Sequence, residues 1–323
     1  MVALLLLSGG AMARPPTALG DHAFGSDSTD LKLSVLEQYL KAYTTALRSQ
    51  FRELWYIDAF AGTGNRTIVH EAVEAGIFAD FVPPRVERKR GSARIALGIE
   101  PAFDRLVFID LKKTHYEALC ALKGEYPQRA IDVLRGDANQ MIRESIARQS
   151  WAGVRAVMFL DPYGMHLEWS TLEAIRKTGA IDVWYLVSLE GLFRQAARDR
   201  SKLTDYKRAK INAMVGATDW EEEWYPSQSQ GSLLDLLAEP TASSGPGDRR
   251  SADVNAIEAY FLRRLRSLFP MVASPLRLTN KSGVQTFSLF FAISNEHPKA
   301  MGLARRLASH ILSSGKASQV RRR

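Results

Sequence analysis

The chain has 323 residues, of which 46% are hydrophobic and 24% are charged, and its formal net charge is +8. This length and composition are typical of a globular protein with one large domain. A single cysteine, Cys120, excludes an internal disulfide framework and a cysteine-rich metal site. The positive charge favours a polyanionic partner such as nucleic acid, but it is equally compatible with a surface that has spare lysines and arginines.

The first 28 residues are predicted to be a disordered extension. Residues 4–7 are leucines followed by small residues, but no basic region precedes them, and a secretory signal needs ~7–15 apolar residues. No other segment approaches the ~20 apolar residues of a membrane span. We therefore predict a cytoplasmic protein without a membrane partner.

Strands and helices are predicted to alternate after a first helix over residues 30–49. The predicted strands are 54–57, 105–109, 130–134, 156–160 and 182–187. The predicted helices between and before them are 92–100, 114–125, 139–148 and 170–178. Residues 65–90 show no clear periodicity and are expected to form an irregular insertion. Strands that alternate with helices predict a parallel sheet covered by helices on both faces.

The pattern changes after the fifth strand. Polar helices rich in arginine and lysine are predicted over 188–226, a mobile loop over 227–251, and a further helix over 254–268. Two final strands, 272–278 and 284–294, flank a turn and are predicted to form an antiparallel hairpin, and a helix over 297–312 follows them. The predicted organisation is a domain over 29–313 with insertions at about 65–91 and 190–252, followed by a basic tail over 314–323.

Four of the predicted strands end at an aspartate, namely Asp58, Asp110, Asp137 and Asp161. The first aspartate is followed at once by a turn that contains Gly62 and Gly64. Parallel sheets of this kind bind their ligands beyond the carboxyl ends of the strands. We therefore expect the four carboxylates to lie around one binding site.

The glycine turn does not fit the common phosphate-binding motifs. A dinucleotide motif would have a third glycine where this chain has Thr67, and the Walker sequence is absent. S-adenosylmethionine (SAM) fits better, because it carries two positive charges, a ribose and an adenine but no phosphate. The predicted cofactor-binding residues are Asp58, Phe60, Gly62, Gly64, Asp110 and Asp137.

Each aspartate has a predicted role toward SAM. Asp58 offers negative charge to the cationic end of the cofactor, Asp110 accepts hydrogen bonds from the ribose hydroxyls, and Asp137 accepts one from the adenine amino group. A single aspartate at such a position is more commonly a helix N-cap or part of a strand-end turn. Three of them in consecutive units, after a glycine turn, favour the cofactor.

The sequence Asp161-Pro162-Tyr163-Gly164 is predicted to face the substrate. Enzymes that methylate amino groups place a [DNS]-P-P-[YF] motif here; its acidic or polar residue accepts a hydrogen bond from the amine and its ring stacks on a base. In this chain the second proline is missing and Tyr163 comes one position early. The alternative is a turn stiffened by proline, with a buried tyrosine.

With these motifs, the chain resembles the three-Cys-motif partner proteins, a family of bacterial proteins with a methyltransferase-like core. The resemblance extends roughly over 31–312. It rests on Lys32 with 39–40, YIDAFAGTG at 56–64, GSARIAL at 91–97, FID at 108–110, DPYG at 161–164 with Trp169, DV at 182–183 and FFAISNEHP at 290–298. The resemblance implies a SAM-type fold and a partner protein that carries a three-cysteine motif. The family has a proline at the position of Ala93. The alanine in this chain is a small departure that leaves the turn in place.

The predicted fold is therefore α/β, of the class I Rossmann-like SAM-methyltransferase type, with a seven-stranded, mostly parallel sheet and a terminal antiparallel hairpin. The predicted function is SAM-dependent methylation of an amino group in a nucleic-acid base, DNA or RNA, with Asp161, Pro162 and Tyr163 at the acceptor and without a metal. Cys120 follows a leucine within a helix, which excludes a cytosine-C5 mechanism. Two alternatives stay open, a non-catalytic partner with the same fold and a methyltransferase for small molecules.

Overall fold

The computed structural model describes residues 22–23, 27–70, 85–226, 249–280 and 282–320. Most of the segment expected to be an extension, 1–28, lies outside these residues, as do most of the loop expected over 227–251 and the three arginines that end the chain. Within the described part, His22–Ala23 is a strand and the first helix begins at Asp27.

The strands of the described chain are β1 (His22–Ala23), β2 (Glu53–Asp58), β3 (Asn65–His70), β4 (Arg85–Arg90), β5 (Arg105–Asp110), β6 (Ile131–Arg135), β7 (Val154–Leu160), β8 (Ile181–Ser188), β9 (Met271–Val272), β10 (Leu276–Thr279) and β11 (Gln285–Ile293). Its helices are α1 (Asp27–Leu47), α2 (Ser92–Leu97), α3 (Lys113–Glu125), α4 (Ala138–Met141), α5 (Trp169–Lys177), α6 (Leu189–Gln195), α7 (Asp205–Val215), α8 (Trp220–Trp224), α9 (Val254–Leu268) and α10 (Pro298–Val320). A π-helical turn, Ile142–Ile146, continues α4, and a 3₁₀ turn, Arg200–Lys202, precedes α7.

The main sheet has the strand order β10-β11-β8-β7-β2-β5-β6, and β9 pairs with the far end of β11. Strands β6, β5, β2, β7 and β8 are parallel, whereas β11 is antiparallel to both β8 and β10. The predicted parallel sheet and terminal hairpin are thus confirmed. The chain builds outward from β2 in one direction and from β7 in the other, so a switch point lies between these two strands.

Helices cover both faces of the main sheet. Alternate residues of a strand point to opposite faces, and β2 shows this directly. Leu54 and Tyr56 pack in the layer that contains α1, α2, α3 and α10, while Trp55 and Ile57 pack in the layer that contains α4 to α9. All four side chains are buried. The fold is therefore a mixed α/β sandwich of the Rossmann-like kind, with a central, mostly parallel sheet.

A second, small sheet interrupts the glycine turn after β2. Strand β3 is antiparallel to β4 and parallel to β1. The amide of Gly91 donates a hydrogen bond to the carbonyl oxygen of Gly64, at 3.0 Å, and this bond closes the base of the insertion. The predictions did not include these strands, because ladder hydrogen bonds join backbone groups and the charged sequence of β4 has no apolar alternation. Residues 71–84 lie outside the described chain.

Two further boundaries differ from the predictions. The strand predicted over 272–278 is divided into β9 and β10, and Pro275, which has no amide hydrogen to donate, lies in the break. Helix α10 continues to Val320 and so includes much of the segment predicted to be a basic tail. Across the described residues, no helix combines the length and the apolar character needed to cross a membrane.

Candidate functional site

The carboxyl ends of the parallel strands meet at one edge of the main sheet, which we call the acidic edge because Asp58, Asp110, Asp137 and Asp161 lie at or just beyond the ends of β2, β5, β6 and β7. Asp58 is the last residue of the central strand and lies in register with Phe108 of β5 and Phe159 of β7. The next residue stays against β7, because the amide of Ala59 donates a hydrogen bond to the Phe159 carbonyl oxygen at 3.1 Å.

Asp58 is fully buried, and its two carboxylate oxygens have different surroundings. Oδ2 accepts a hydrogen bond from the Tyr56 hydroxyl at 3.2 Å, whereas Oδ1 has no hydrogen-bond partner among the described residues. Burial raises the pKa of Asp58 to about 7; hydrogen bonds to the carboxyl group from the Ser92 and Tyr56 side chains and the Phe60 amide partly offset this effect, and the charge of Asp161 reinforces it. A buried acceptor without a donor is costly, so this oxygen is suited to a cation or a donor from a ligand.

The turn after Asp58 uses its two glycines differently. Both are left-handed, with φ of +62° at Gly62 and +76° at Gly64, a region that L-residues with a side chain rarely adopt. A Cβ atom on Gly64 would lie 2.8 Å from Cδ2 of Leu122 in α3, whereas one on Gly62 would meet nothing within 4 Å. Gly64 is therefore required for packing, and the space beside Gly62 is open to a ligand.

Asp110 holds this turn in place. Its Oδ2 accepts from the amide of Gly62 at 3.0 Å and its Oδ1 accepts from the amide of Lys112 at 2.9 Å. Nδ1 of His115, another buried side chain, lies 3.0 Å from Oδ2. An ionised carboxylate has about four acceptor positions, so Asp110 can still accept a hydrogen bond from a ribose hydroxyl. The hydrogen bonds that it makes in the structure hold the protein's own backbone.

The other two predicted cofactor residues lie at the rim. Oδ1 of Asp137 accepts from the amide of Gln140 at 3.0 Å and caps α4, which is the more common use of such an aspartate. Its predicted contact with an adenine amino group stays a prediction. Phe60 is half-buried and packs against the core layer that contains α4 to α9.

Asp161 and Tyr163 lie beside the other acids, and a lysine contacts each of them. The ammonium of Lys32, from α1, forms an ion pair with Asp161, and the ammonium of Lys112 lies 4.7 Å from the centre of the Tyr163 ring. Partial burial raises the pKa of Tyr163 to about 12, helped by the charges of Asp110 and Asp161. The Tyr163 side chain is 42% exposed, so the alternative of a buried tyrosine is wrong, while Pro162 is buried.

Sequence reasoning gave no role to three side chains that the structure places in the site: Lys32, Lys112 and His115. Lys112 had a weak signal, since it follows Asp110 by two residues and so lies in the loop beyond a strand end. Lys32 is 129 positions from its partner Asp161. Only the packing of α1 on the sheet brings them together.

Several lysines and arginines that could bind a phosphate backbone, in β4 and in the helices after β8, are paired within the protein. Lys89 forms an ion pair with Asp30 at 2.9 Å and Arg90 with Glu37 at 3.3 Å, so the end of β4 is tied to α1. In the helices after β8, Arg200 and Arg208 both bond to Glu221 at 2.8 Å. These pairs reduce the positive charge that a polyanion would meet.

Comparison of the sequence with protein-family models and with curated proteins gives no match. Among solved structures, the chain is similar to protein LPL1258 from Legionella pneumophila str. Philadelphia 1, of the family model DUF519, at 13% identity and a TM-score of 0.42 over 84% of this chain and 89% of that one. It is also similar to a protein studied for the conversion of a disulfide bond into a thioacetal group in echinomycin biosynthesis, at 13% identity and a TM-score of 0.29 over 82% and 86%. These scores are too low to carry an argument about function, and membership of the three-Cys-motif partner family stays an expectation.

Proposed function

We propose that the protein is a SAM-dependent methyltransferase of the class I type. The observation that carries the proposal is the buried Oδ1 of Asp58, which has no hydrogen-bond partner among the described residues, in a residue that directly precedes a left-handed glycine turn at the switch point of the sheet. The strand order supports it, since five parallel strands with a terminal antiparallel hairpin are the arrangement expected for this class. The neighbouring acids Asp110 and Asp161 add two further carboxyl groups to this edge, where the ammonium of Lys32 already pairs with Asp161.

The residues present fit SAM. Asp58 would receive the positively charged amino-acid end, the open side of Gly62 would admit the cofactor against the backbone, and Asp110 would accept from the ribose. The bound cofactor supplies an activated methyl group on a sulfonium. Because a cation next to Asp58 favours the ionised carboxyl, SAM should bind more tightly as the pH rises through about 7.

The acceptor we propose is an amino group of a nucleic-acid base. Asp161 would accept a hydrogen bond from the amine and orient its lone pair, and the exposed ring of Tyr163 would stack on the base. Asp161 would thereby hold the amine nitrogen toward the methyl group that bound SAM would supply, and the nitrogen would release its proton to solvent. Lys32 and Lys112 now contact these two side chains, so the acceptor has to displace both ammonium groups.

A second candidate function is that of a non-catalytic partner for a three-Cys-motif protein, as the resemblance to that family implies. The ion pair between Lys32 and Asp161 favours it, since it places an ammonium at the position proposed for the acceptor amine. The missing second proline of the motif points the same way. Either function is proposed to operate in the cytoplasm with the three-Cys-motif protein as partner.

The first experiment is a calorimetric titration of the purified protein with SAM. We expect a Kd in the micromolar range, at least about tenfold weaker binding for Asp58→Asn, and no change for the control Asp132→Asn, an exposed aspartate that pairs with Arg105 in the same sheet. Absence of binding by the wild-type protein at ~1 mM SAM, or equal binding by Asp58→Asn, would overturn the proposed cofactor site.

The second experiment separates the enzyme from the partner. Radiolabelled SAM is incubated with the protein and with DNA or RNA, and Asp161→Ala is compared with the wild type in methyl transfer and in assembly with the three-Cys-motif protein. An enzyme loses transfer in the variant but keeps the complex. Transfer that survives in Asp161→Ala would contradict the role of this motif, and no transfer by the wild type would favour the second candidate.

A further inference from the structure

A cavity of about 640 Å³ lies at the opposite edge of the main sheet from the acidic edge. It borders β9, which pairs with Ile293, and Ile293 in turn lies opposite Asp182 near the start of β8. The acidic edge is at the other end of β8, beyond Ser188. The cavity is therefore separate from the site proposed for SAM.

The walls of the cavity come from three elements. Arg266 lies in the last turn of α9, and Ser274 lies in the break between β9 and β10. Residues Arg305, Ser309 and Ser313 recur every fourth position on α10 and so form one face of that helix. Two buried side chains, Phe269 and Leu312, add an apolar floor.

The lining carries positive charge without a balancing carboxylate. Neither Arg266 nor Arg305 has an ion pair or a side-chain hydrogen bond within the described chain, and no aspartate or glutamate lines the cavity. Their neighbours on α9 differ in this respect, because Arg263 pairs with Glu223 and Arg264 donates to the carbonyl oxygens of Val215 and Gly216. The cavity thus offers two guanidinium groups and the hydroxyls of Ser274 and Ser309 to an anion, while the Ser313 hydroxyl donates to the His310 carbonyl oxygen at 2.8 Å.

We propose that this cavity binds a phosphorylated organic molecule of about the size of a mononucleotide. The planar guanidinium groups of Arg266 and Arg305 match the oxygens of a phosphate, and the hydroxyls of Ser274 and Ser309 donate further hydrogen bonds. The apolar floor accommodates the organic part of the ligand. The volume falls within the roughly 300–1,000 Å³ of small-molecule sites. The inference does not depend on the proposed methyltransferase function.

The test is a calorimetric titration of the full chain with UMP, and with uridine as the uncharged match. A pyrimidine nucleotide is chosen so that the probe does not resemble the adenosine part of SAM. UMP should bind and uridine should not. Arg266→Ala and Arg305→Ala should each weaken UMP binding about tenfold or more, and the double variant should lose it.

Arg306→Ala is the matched control, because Arg306 is an exposed neighbour on α10 that does not line the cavity, and it should bind UMP like the wild type. Asp58→Asn should also bind UMP normally, whatever it does to SAM binding. Equal affinity for UMP and uridine, retained affinity in the double variant, or loss of UMP binding in Asp58→Asn would overturn the proposal. So would binding of a polynucleotide at this face without binding of UMP.

Discussion

The two edges of the main sheet present opposite chemistry. At the acidic edge, Asp58, Asp110 and Asp161 lie together around a glycine turn, whereas the other edge has arginines, among them Arg176 and Arg266. The arrangement follows from the topology, because helices that follow parallel strands begin at the carboxyl edge and end at the amino edge. Helix N-termini favour carboxylates and helix C-termini favour cations. Arg176 illustrates the second case, in the last turn of α5, where it donates to the carbonyl oxygens of Leu268 and Ser294 at 3.1 Å.

A closer comparison concerns one carboxyl group at each edge. Burial raises the pKa of both Asp58 and Asp182 to about 7. Asp182 has compensating partners, since Tyr39 donates to its Oδ2 at 2.7 Å and the charge of Arg155 lowers its pKa, and it borders only a cavity of about 50 Å³. Asp58 has Oδ1 without a partner in the described chain. Burial alone therefore does not mark a site, whereas burial with an acceptor that the described chain leaves unused favours one.

The largest effect should come from Gly64→Ala. The new Cβ would lie 2.8 Å from Leu122 at a residue with φ of +76°, and overpacking and backbone strain together cost about 2–5 kcal/mol. Gly62→Ala is the matched control, because it meets the same backbone restriction in open space and should cost about 1–2 kcal/mol. Urea unfolding measures both, and equal losses would mean that the packing of the turn on α3 does not distinguish the two glycines.

The next effect should be the pH dependence removed by Asp58→Asn. An acid whose pKa is raised in the folded state stabilises below its unfolded pKa of 3.8 and loses that contribution as the pH rises through about 7. Asp58→Asn removes the ionised form. The free energy of unfolding of the variant, relative to that of the wild type, should therefore be about 2–4 kcal/mol larger at pH 8 than at pH 4. Thermal or urea unfolding across this range checks the sign, and a variant with unchanged pH dependence would show that Asp58 titrates normally.

Asp182→Asn should change the pH dependence in the same direction and by a similar amount, about 2–4 kcal/mol, because burial raises the pKa of Asp182 to about 7 as well. The variant should bind SAM like the wild type, because Asp182 lies at the opposite edge. A loss of SAM affinity here comparable to that of Asp58→Asn would remove the distinction between the two carboxyls.

The smallest effect on stability should come from Lys112→Ala. The contact of its ammonium with the Tyr163 ring is solvent-exposed and is worth about 0.5–1 kcal/mol. If the acceptor base has to displace this lysine, the variant should lower the KM for the nucleic-acid acceptor while thermal unfolding changes little. An increased KM would instead indicate that Lys112 binds the acceptor.

Much of the fold could be predicted from the sequence because the strands of the main sheet carry strong patterns. Strand β7, for example, is an apolar run whose burial on both faces of the sheet is visible in its residues, Val154–Leu160. Strand β4 could not be predicted, since Arg85–Arg90 has no apolar alternation and pairs through its backbone. Pro275 indicates the break before β10, but one continuous strand was predicted across it.

The sequence by itself determined the order of the parallel strands of the main sheet and the helices between them, the glycine turn and the acids at the strand ends, since these depend on residues close together in the chain. Only the tertiary structure decided how each acid is used. In the folded chain Asp137 caps α4, Asp110 accepts from the amides of Gly62 and Lys112, Asp161 pairs with Lys32, and Oδ1 of Asp58 has no hydrogen-bond partner among the described residues. The physical reason is that packing between distant segments sets the partners of a carboxylate and its distance from water. Local sequence patterns carry no information about such packing.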